Sequence, residues 1–216
     1  MNLLLKLSKG IDAFTDKLGG IIKLIVVLTI AATFLNAFLR YLGKAIAQTL
    51  ISNELIQVQW YLFSMIFLFG FPYILLHNTN VRVDFLYAKW GPRRRAFIDF
   101  FGTLLFLIPF CLLAIYVSIN PVLIAWGRLP DGTFGAWEFS SDAGGLPMAP
   151  LKTLIILGFL LLLIQAVSQL IKYLAILTGR HETDHVVMAA GATEQLAEEA
   201  LHNLQPHEAH EAGASH

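Results

Sequence analysis

Four apolar runs, at about residues 21–42, 55–76, 96–119 and 151–177, leave this chain few folds to adopt. The first has 22 residues and spans about 33 Å as a helix, enough for the hydrocarbon core of a bilayer. Inside hydrocarbon the backbone must satisfy its own hydrogen bonds, so such runs fold as transmembrane helices. Only 14% of the residues are charged and 56% are hydrophobic, where a soluble domain carries roughly a quarter charged residues. The expected fold class is all-α integral membrane, with four transmembrane helices.

The segment between the second and third runs sets the orientation. Arg82, Lys89, Arg93, Arg94 and Arg95 stand there against Asp84 alone. A basic cluster between apolar spans is hard to translocate and stays cytoplasmic. With both termini inside, eleven of the 15 Lys and Arg lie on the cytoplasmic side. Arg40, Lys44, Arg128 and Lys152 lie outside. The formal net charge of zero averages two unlike parts. Residues 1–180 hold every Lys and Arg with 8 acids, and residues 181–216 hold 7 acids and no Lys or Arg. Basic charge gathered on one membrane face points to anionic lipid headgroups as partners, not to nucleic acid.

Ahead of the first span, Leu4, Leu7, Ile11, Phe14 and Leu18 recur at spacings of three and four. Lys6, Lys9, Asp12, Asp16 and Lys17 fall largely on the other face. This predicts an amphipathic interfacial helix over residues 1–19. A signal peptide is the competing reading, but the apolar run is too long and no small-residue cleavage site follows it. The transmembrane domain then covers residues 20–178. In the first span Thr29, Thr33 and Ala37 form a small-residue stripe, with Ala32, Asn36 and Arg40 as a more polar stripe beside it. Glu54 falls in the first turn of the second span, where a carboxylate suits the helix dipole. Gly70 and Pro72 predict a kink in that span, Pro109 lies in the middle of the third, and Asn120-Pro121 is expected to end it. Gln165, Ser168 and Gln169 share one face of the fourth. The stretch 179–216 is polar, holds six of the seven histidines, and reads as a disordered tail.

The usual marks of chemistry are missing. No Gly-rich phosphate loop, CxxC pair, HExxH or nucleophile elbow occurs, so no catalytic, cofactor or metal site is expected and the chain does not read as an enzyme. Cys111 is the only cysteine, which excludes an intrachain disulfide. A conduction path would place ionisable groups at mid-membrane, whereas Lys23, Arg40, Glu54 and Lys152 fall near the interfaces. The spans read as built for packing.

Several motifs carry a resemblance. The first span closes on Asn36…Arg40-Tyr41-Leu42-Gly43, and the second opens on Glu54-Leu55…Gln59-Trp60-Tyr61. After it comes Asn80-Val81-Arg82-Val83-Asp84, with Asn80 where the signature normally has His. Ahead of the fourth span stand Trp137-Glu138-Phe139-Ser140, Gly144-Gly145-Leu146-Pro147 and Pro150-Leu151-Lys152, followed by Gly158-Phe159 and Gln165. In this order the motifs resemble the small membrane subunit of tripartite ATP-independent periplasmic (TRAP) transporters, the DctQ-like proteins, over about residues 20–175.

The resemblance implies a multi-pass protein of the bacterial inner membrane, without a cofactor of its own. It implies two partners, a large membrane subunit that carries solute and sodium and a periplasmic substrate-binding protein. The small subunit would act as scaffold for the large one. Asn36, Arg40, Glu54, Trp60, Arg82, Asp84, Glu138, Gly144, Gly145 and Gln165 would then serve as interface or structural residues. The alternative is a four-helix accessory or anchor subunit of another membrane complex, such as a redox complex, although the spans lack the histidine pairs that haem ligation needs.

The orientation is directly testable. In a Cys111→Ala background, single cysteines at Lys89 and Ala136 are exposed to an impermeant thiol reagent on intact cells. Only the site at 136 should react, and labelling at 89 would reverse the topology.

Overall fold

Residues 2–45 run as a single helix, α1 (Asn2–Ala45), of 44 residues. At 1.5 Å per residue it is about 66 Å long, twice the thickness of a hydrocarbon core. The computed structural model describes residues 2–46, 53–78, 90–142 and 145–178. The later elements are α2 (Asn53–Leu76), α3 (Pro92–Gly102), a π-helical turn (Thr103–Leu107), α4 (Ile108–Ala125) and α5 (Met148–Leu177). Four of these units are long and apolar enough to cross a membrane: Leu3–Ala45, Leu55–Leu76, Arg93–Ala125 and Met148–Leu177. Among the described residues there is no strand, only two isolated antiparallel bridges in the loop before α5.

Two sequence expectations need correction. Residues 2–19 do not form an element of their own, because nothing breaks the helix between them and the first span. The weak point is Gly19-Gly20, where each glycine costs about 1 kcal/mol relative to alanine. Gly19 is required by packing: a Cβ there would lie 2.1 Å from Cδ2 of Tyr73. The third span likewise does not end at Asn120-Pro121 but continues to Ala125. Pro121 removes one backbone donor only about a turn before the helix end and is itself exposed, so the loss is confined to a single bond. The stop is supplied by Gly127 instead. Its N–H bonds to the Ile124 carbonyl at 2.8 Å and that of Arg128 to Leu123 at 3.0 Å, a Schellman closure. The closure needs the positive φ of 90° that Gly127 adopts.

Pro109 acts on the backbone just before it. It has no N–H to donate to the Leu105 carbonyl, and the preceding turn widens so that the Ile108 N–H reaches back to Thr103. That is an i to i+5 bond, a π-bulge of the kind that relieves a local mismatch in a helix.

The helix directions follow from the cross-contacts. On α1 and α2, Ala32 meets Gln59, Gly19 meets Tyr73 and Asp16 meets His77, so the two are antiparallel. On α2 and α5, Leu68 meets Gly158 and Leu75 meets Gln169, so these two are parallel. Phe110 stacks edge-on against Phe159, and Ala96 packs on Tyr173 and Ile176, which sets α3 and α4 antiparallel to α5. The fourth span thus sits centrally, in contact with every other helical unit. It also buries more of itself than any other, 33% of its apolar window against 6–11% elsewhere. Gly158 makes this possible, since a Cβ there would lie 2.8 Å from the Leu68 Cβ.

In the first half of α1 the buried positions are Ser8, Thr15, Gly19 and Ile22, while Leu3, Leu4, Leu7, Phe14 and Ile21 are exposed. The stripe through Ser8, Asp12, Thr15 and Gly19 therefore points into the bundle, while Leu3, Leu4, Leu7 and Phe14 point away from it, as do the charged Lys6, Lys9, Asp16 and Lys17. Lipid tails are as apolar as leucine, so helices in a bilayer gain nothing by hiding leucine from them. The same logic leaves Phe34 and Phe38 on α1, and Phe110 and Tyr116 on α4, on the outside.

Candidate functional site

The most concentrated chemistry in the bundle is a seam of polar side chains between α1 and α5. Asp12 is its centre. One carboxylate oxygen accepts from Gln165 Nε2 at 3.0 Å and from Ser168 Oγ at 2.8 Å. The other lies 2.7 Å from Lys172 Nζ. A turn later on α1, the Thr15 hydroxyl donates to Gln165 Oε1 at 2.7 Å. A turn earlier, the Ser8 and Ser168 hydroxyls meet at 2.8 Å. Gln169 turns to the other side and donates to the Leu75 carbonyl at 2.7 Å, so α2 joins the seam at its last turn. His77 follows, 3.3 Å from Asp16. Gln165, Ser168 and Gln169 are essentially fully buried, and Asp12 and Lys172 are mostly so, at 22% and 17% exposure.

The spacing explains the alignment. Residues 8, 12, 15, 19 and 22 on α1, and 158, 162, 165, 169, 172 and 176 on α5, alternate steps of four and three. That repeat keeps one face of each helix turned to the other over several turns. Interhelical hydrogen bonds of this kind contribute about 0.6 to 2 kcal/mol each in a bilayer.

A second polar assembly fastens the loop between α4 and α5 to the far end of the bundle. The Gln57 side chain accepts from the Leu146 N–H and lies 3.5 Å from an Asp142 carboxylate oxygen. The Tyr61 hydroxyl donates to the Pro147 carbonyl. Glu138 pairs with Lys152, and its backbone bonds in both directions, to Ala125 and to Met148. Trp126 donates its indole N–H to Thr153 at 2.9 Å and meets Trp137 edge-to-face at 4.9 Å. At the loop tip, the Thr133 hydroxyl and backbone N–H hold the Asp131 carboxyl below its ordinary pKa.

The structure brings some of the sequence-selected residues together and separates others. Gln165 lies in the seam, fully buried. Glu138 is in the loop clamp, with Gly145 packed against the Ser140 backbone. Asn36 is half-buried on α1, in the stripe whose Ala32 carbonyl accepts from Gln59. Arg40, at the end of the same stripe, is exposed; in the neighbouring stripe Thr29 is half-buried, and Thr33 and Ala37 are exposed. Glu54 lies in the first turn of α2. Trp60 is 65% exposed, and its neighbours Gln59 and Tyr61 make the bonds. Arg82, Asp84 and Gly144 lie outside the described residues, as does the stretch 179–216. Sequence reading missed Ser8, Asp12, Thr15, Lys172 and Gln57. The four-three repeat of small and polar residues on α1 was the signal that would have found the first three.

Among the described residues no three His, Cys, Asp or Glu side chains converge on one point, and every buried side-chain nitrogen and oxygen has a hydrogen-bond partner. The arrangement is that of a fastener: its donors and acceptors are spent on one another.

Residues 29–175 fit the family model described as tripartite ATP-independent periplasmic transporters, DctQ component. Curated proteins and solved structures gave no match.

The seam makes a quantitative expectation. Lys172→Met leaves the Asp12 charge without its counter-ion, and loss of one partner from a buried pair costs about 3 to 5 kcal/mol. Asp12→Asn removes the charge and keeps most of the hydrogen bonds. The double variant should melt above Lys172→Met alone in thermal unfolding of the detergent-solubilised chain. Additive losses would show that the pair is not coupled.

Proposed function

This chain belongs to the DctQ components of the tripartite ATP-independent periplasmic transporters, and from that premise we propose that it is the small permease subunit of a sodium-coupled, binding-protein-dependent uptake system, serving as scaffold for the large transport subunit. The family is a transporter component and not an enzyme family. Four apolar helices make the chain a multi-pass membrane protein. In this proposal both termini lie in the cytoplasm and the protein in the inner membrane, and the large subunit handles sodium and solute.

One observation carries the scaffold reading: the polar groups inside the bundle are satisfied by each other. A transport site needs side chains or broken helix ends held ready for a ligand. Here Asp12, the acid of the α1–α5 seam, is occupied by Lys172, Gln165 and Ser168. The breaks in helix regularity do not supply a site either. The π turn before Pro109 runs on into α4 with the Ile108 N–H bonded to Thr103, and α2 runs through Pro72 as one helix. The outward faces of α1 and α4 are broad and apolar, with aliphatic side chains and a few aromatic ones, as suits helices that meet lipid or a large membrane partner. Arg82 and Asp84 are proposed to tie the segment after α2 to that partner.

Reconstitution tests this. The purified chain alone in liposomes should give no sodium-driven solute uptake, and adding the large subunit and the binding protein should restore it. Uptake by the lone chain, abolished by Gln165→Leu, would make it a transporter in its own right.

A further inference from the structure

At the end of the bundle where α3 begins and α5 ends there is an open groove of about 500 Å³, lined by Trp90, Arg93, Arg94, Phe97, Ile98 and Leu177. We propose that it binds an anionic glycerophospholipid, with the phosphate on Arg93 and Arg94 and an acyl chain along Phe97, Ile98 and Leu177.

Three features point to this occupant. The first is charge. Arg93 and Arg94 are exposed, and the first turn of α3 contains no acid. Arg95 plays another part, donating Nε to the Trp90 carbonyl at 2.9 Å and thereby fixing the tryptophan beside the groove. Two guanidinium groups on consecutive residues offer forked donors that match phosphate oxygens. The second is the wall below them. Phe97 and Ile98 are 53% and 40% exposed, and Leu177 closes the other side. A water-soluble anion would use the arginines and leave this wall empty, whereas a phospholipid fills both parts. The third is depth. The apolar span counted from Arg93 starts at this point, and Trp90 sits at the same end, where tryptophan favours the level of headgroups and glycerol. Basic pockets beside helix ends attract anionic headgroups. The inference does not rest on the transport reading, since any integral membrane protein with this groove would behave alike.

The test uses the full chain in detergent, probed by native mass spectrometry with phosphatidylglycerol or phosphatidylcholine of identical acyl chains. The chain should retain phosphatidylglycerol preferentially. Arg93→Gln with Arg94→Gln should weaken that binding by about tenfold or more, while Lys6→Gln with Lys9→Gln should leave it unchanged. A second measurement leaves the arginines alone: in a chain whose Trp60, Trp126 and Trp137 are phenylalanine, brominated phosphatidylglycerol should quench Trp90 more than brominated phosphatidylcholine at the same low fraction. Equal retention of the two lipids, equal loss in both double variants, or equal quenching would overturn the proposal. So would release of the large subunit by the arginine variant with lipid binding unchanged, which would assign the groove to a protein contact.

Discussion

In a bilayer, burying leucine gives a helix no reason to leave the lipid for another helix, so the bundle depends on its buried polar contacts. The contact with the greatest reach is the Asp12 carboxylate. It bonds to three side chains on successive turns of α5, and through Gln165 it connects to Thr15. Because Gln169 is held by the Leu75 carbonyl, the same face of α5 also fixes the end of α2. Three helices are thereby set in register at one end of the molecule. At the other end the loop clamp does the same work through Gln57, Tyr61, Glu138 and Lys152. Between the two ends the contacts are close and nearly without polar atoms, as at Gly158 against Leu68.

Such an arrangement suits a part that stays still. Helices that slide or rock during a transport cycle need interfaces with two arrangements of similar energy. The seam offers one arrangement, because any shift along α1 or α5 by a turn would separate the Asp12 charge from Lys172 and leave both in a poorly hydrated place. The outward surface has the opposite character. It is made of exposed apolar side chains, among them Phe34 and Phe38 on α1 and Phe110 on α4, which suit contact with lipid or with an apolar neighbour. Fixed polar interior and apolar exterior are together consistent with the proposed scaffold role.

Much of this was legible in the sequence. Length and apolarity alone locate four spans, and the grouping of Gln165, Ser168 and Gln169 on one face correctly marks a helix contact. The other half of that contact was not legible as read. An alternation of apolar and polar residues over 1–19 looks the same whether the polar face meets water or a second helix, and water is the usual answer for a charged segment. Only the central position of α5 decides it. The helix end at Gly127 was hidden for a related reason: Asn120-Pro121 is a stronger local stop signal, but a proline near an exposed helix end loses little. The π turn ahead of Pro109 has no sequence signature beyond the proline itself. The family was legible only through motif order, from Asn36 to Gln165, since no composition or periodicity distinguishes one four-helix membrane protein from another.

The central claim is that α1 and α5 remain locked while transport proceeds. Ser8 and Ser168 bring their hydroxyl oxygens to 2.8 Å, close enough for a cysteine pair to join with small adjustment. In a Cys111→Ala background, Ser8→Cys with Ser168→Cys should form an intrachain disulfide on mild oxidation of membranes. The assembled transporter should then take up solute at the same rate oxidised or reduced. Absence of the cross-link, or uptake that stops on oxidation and returns with reductant, would contradict the account.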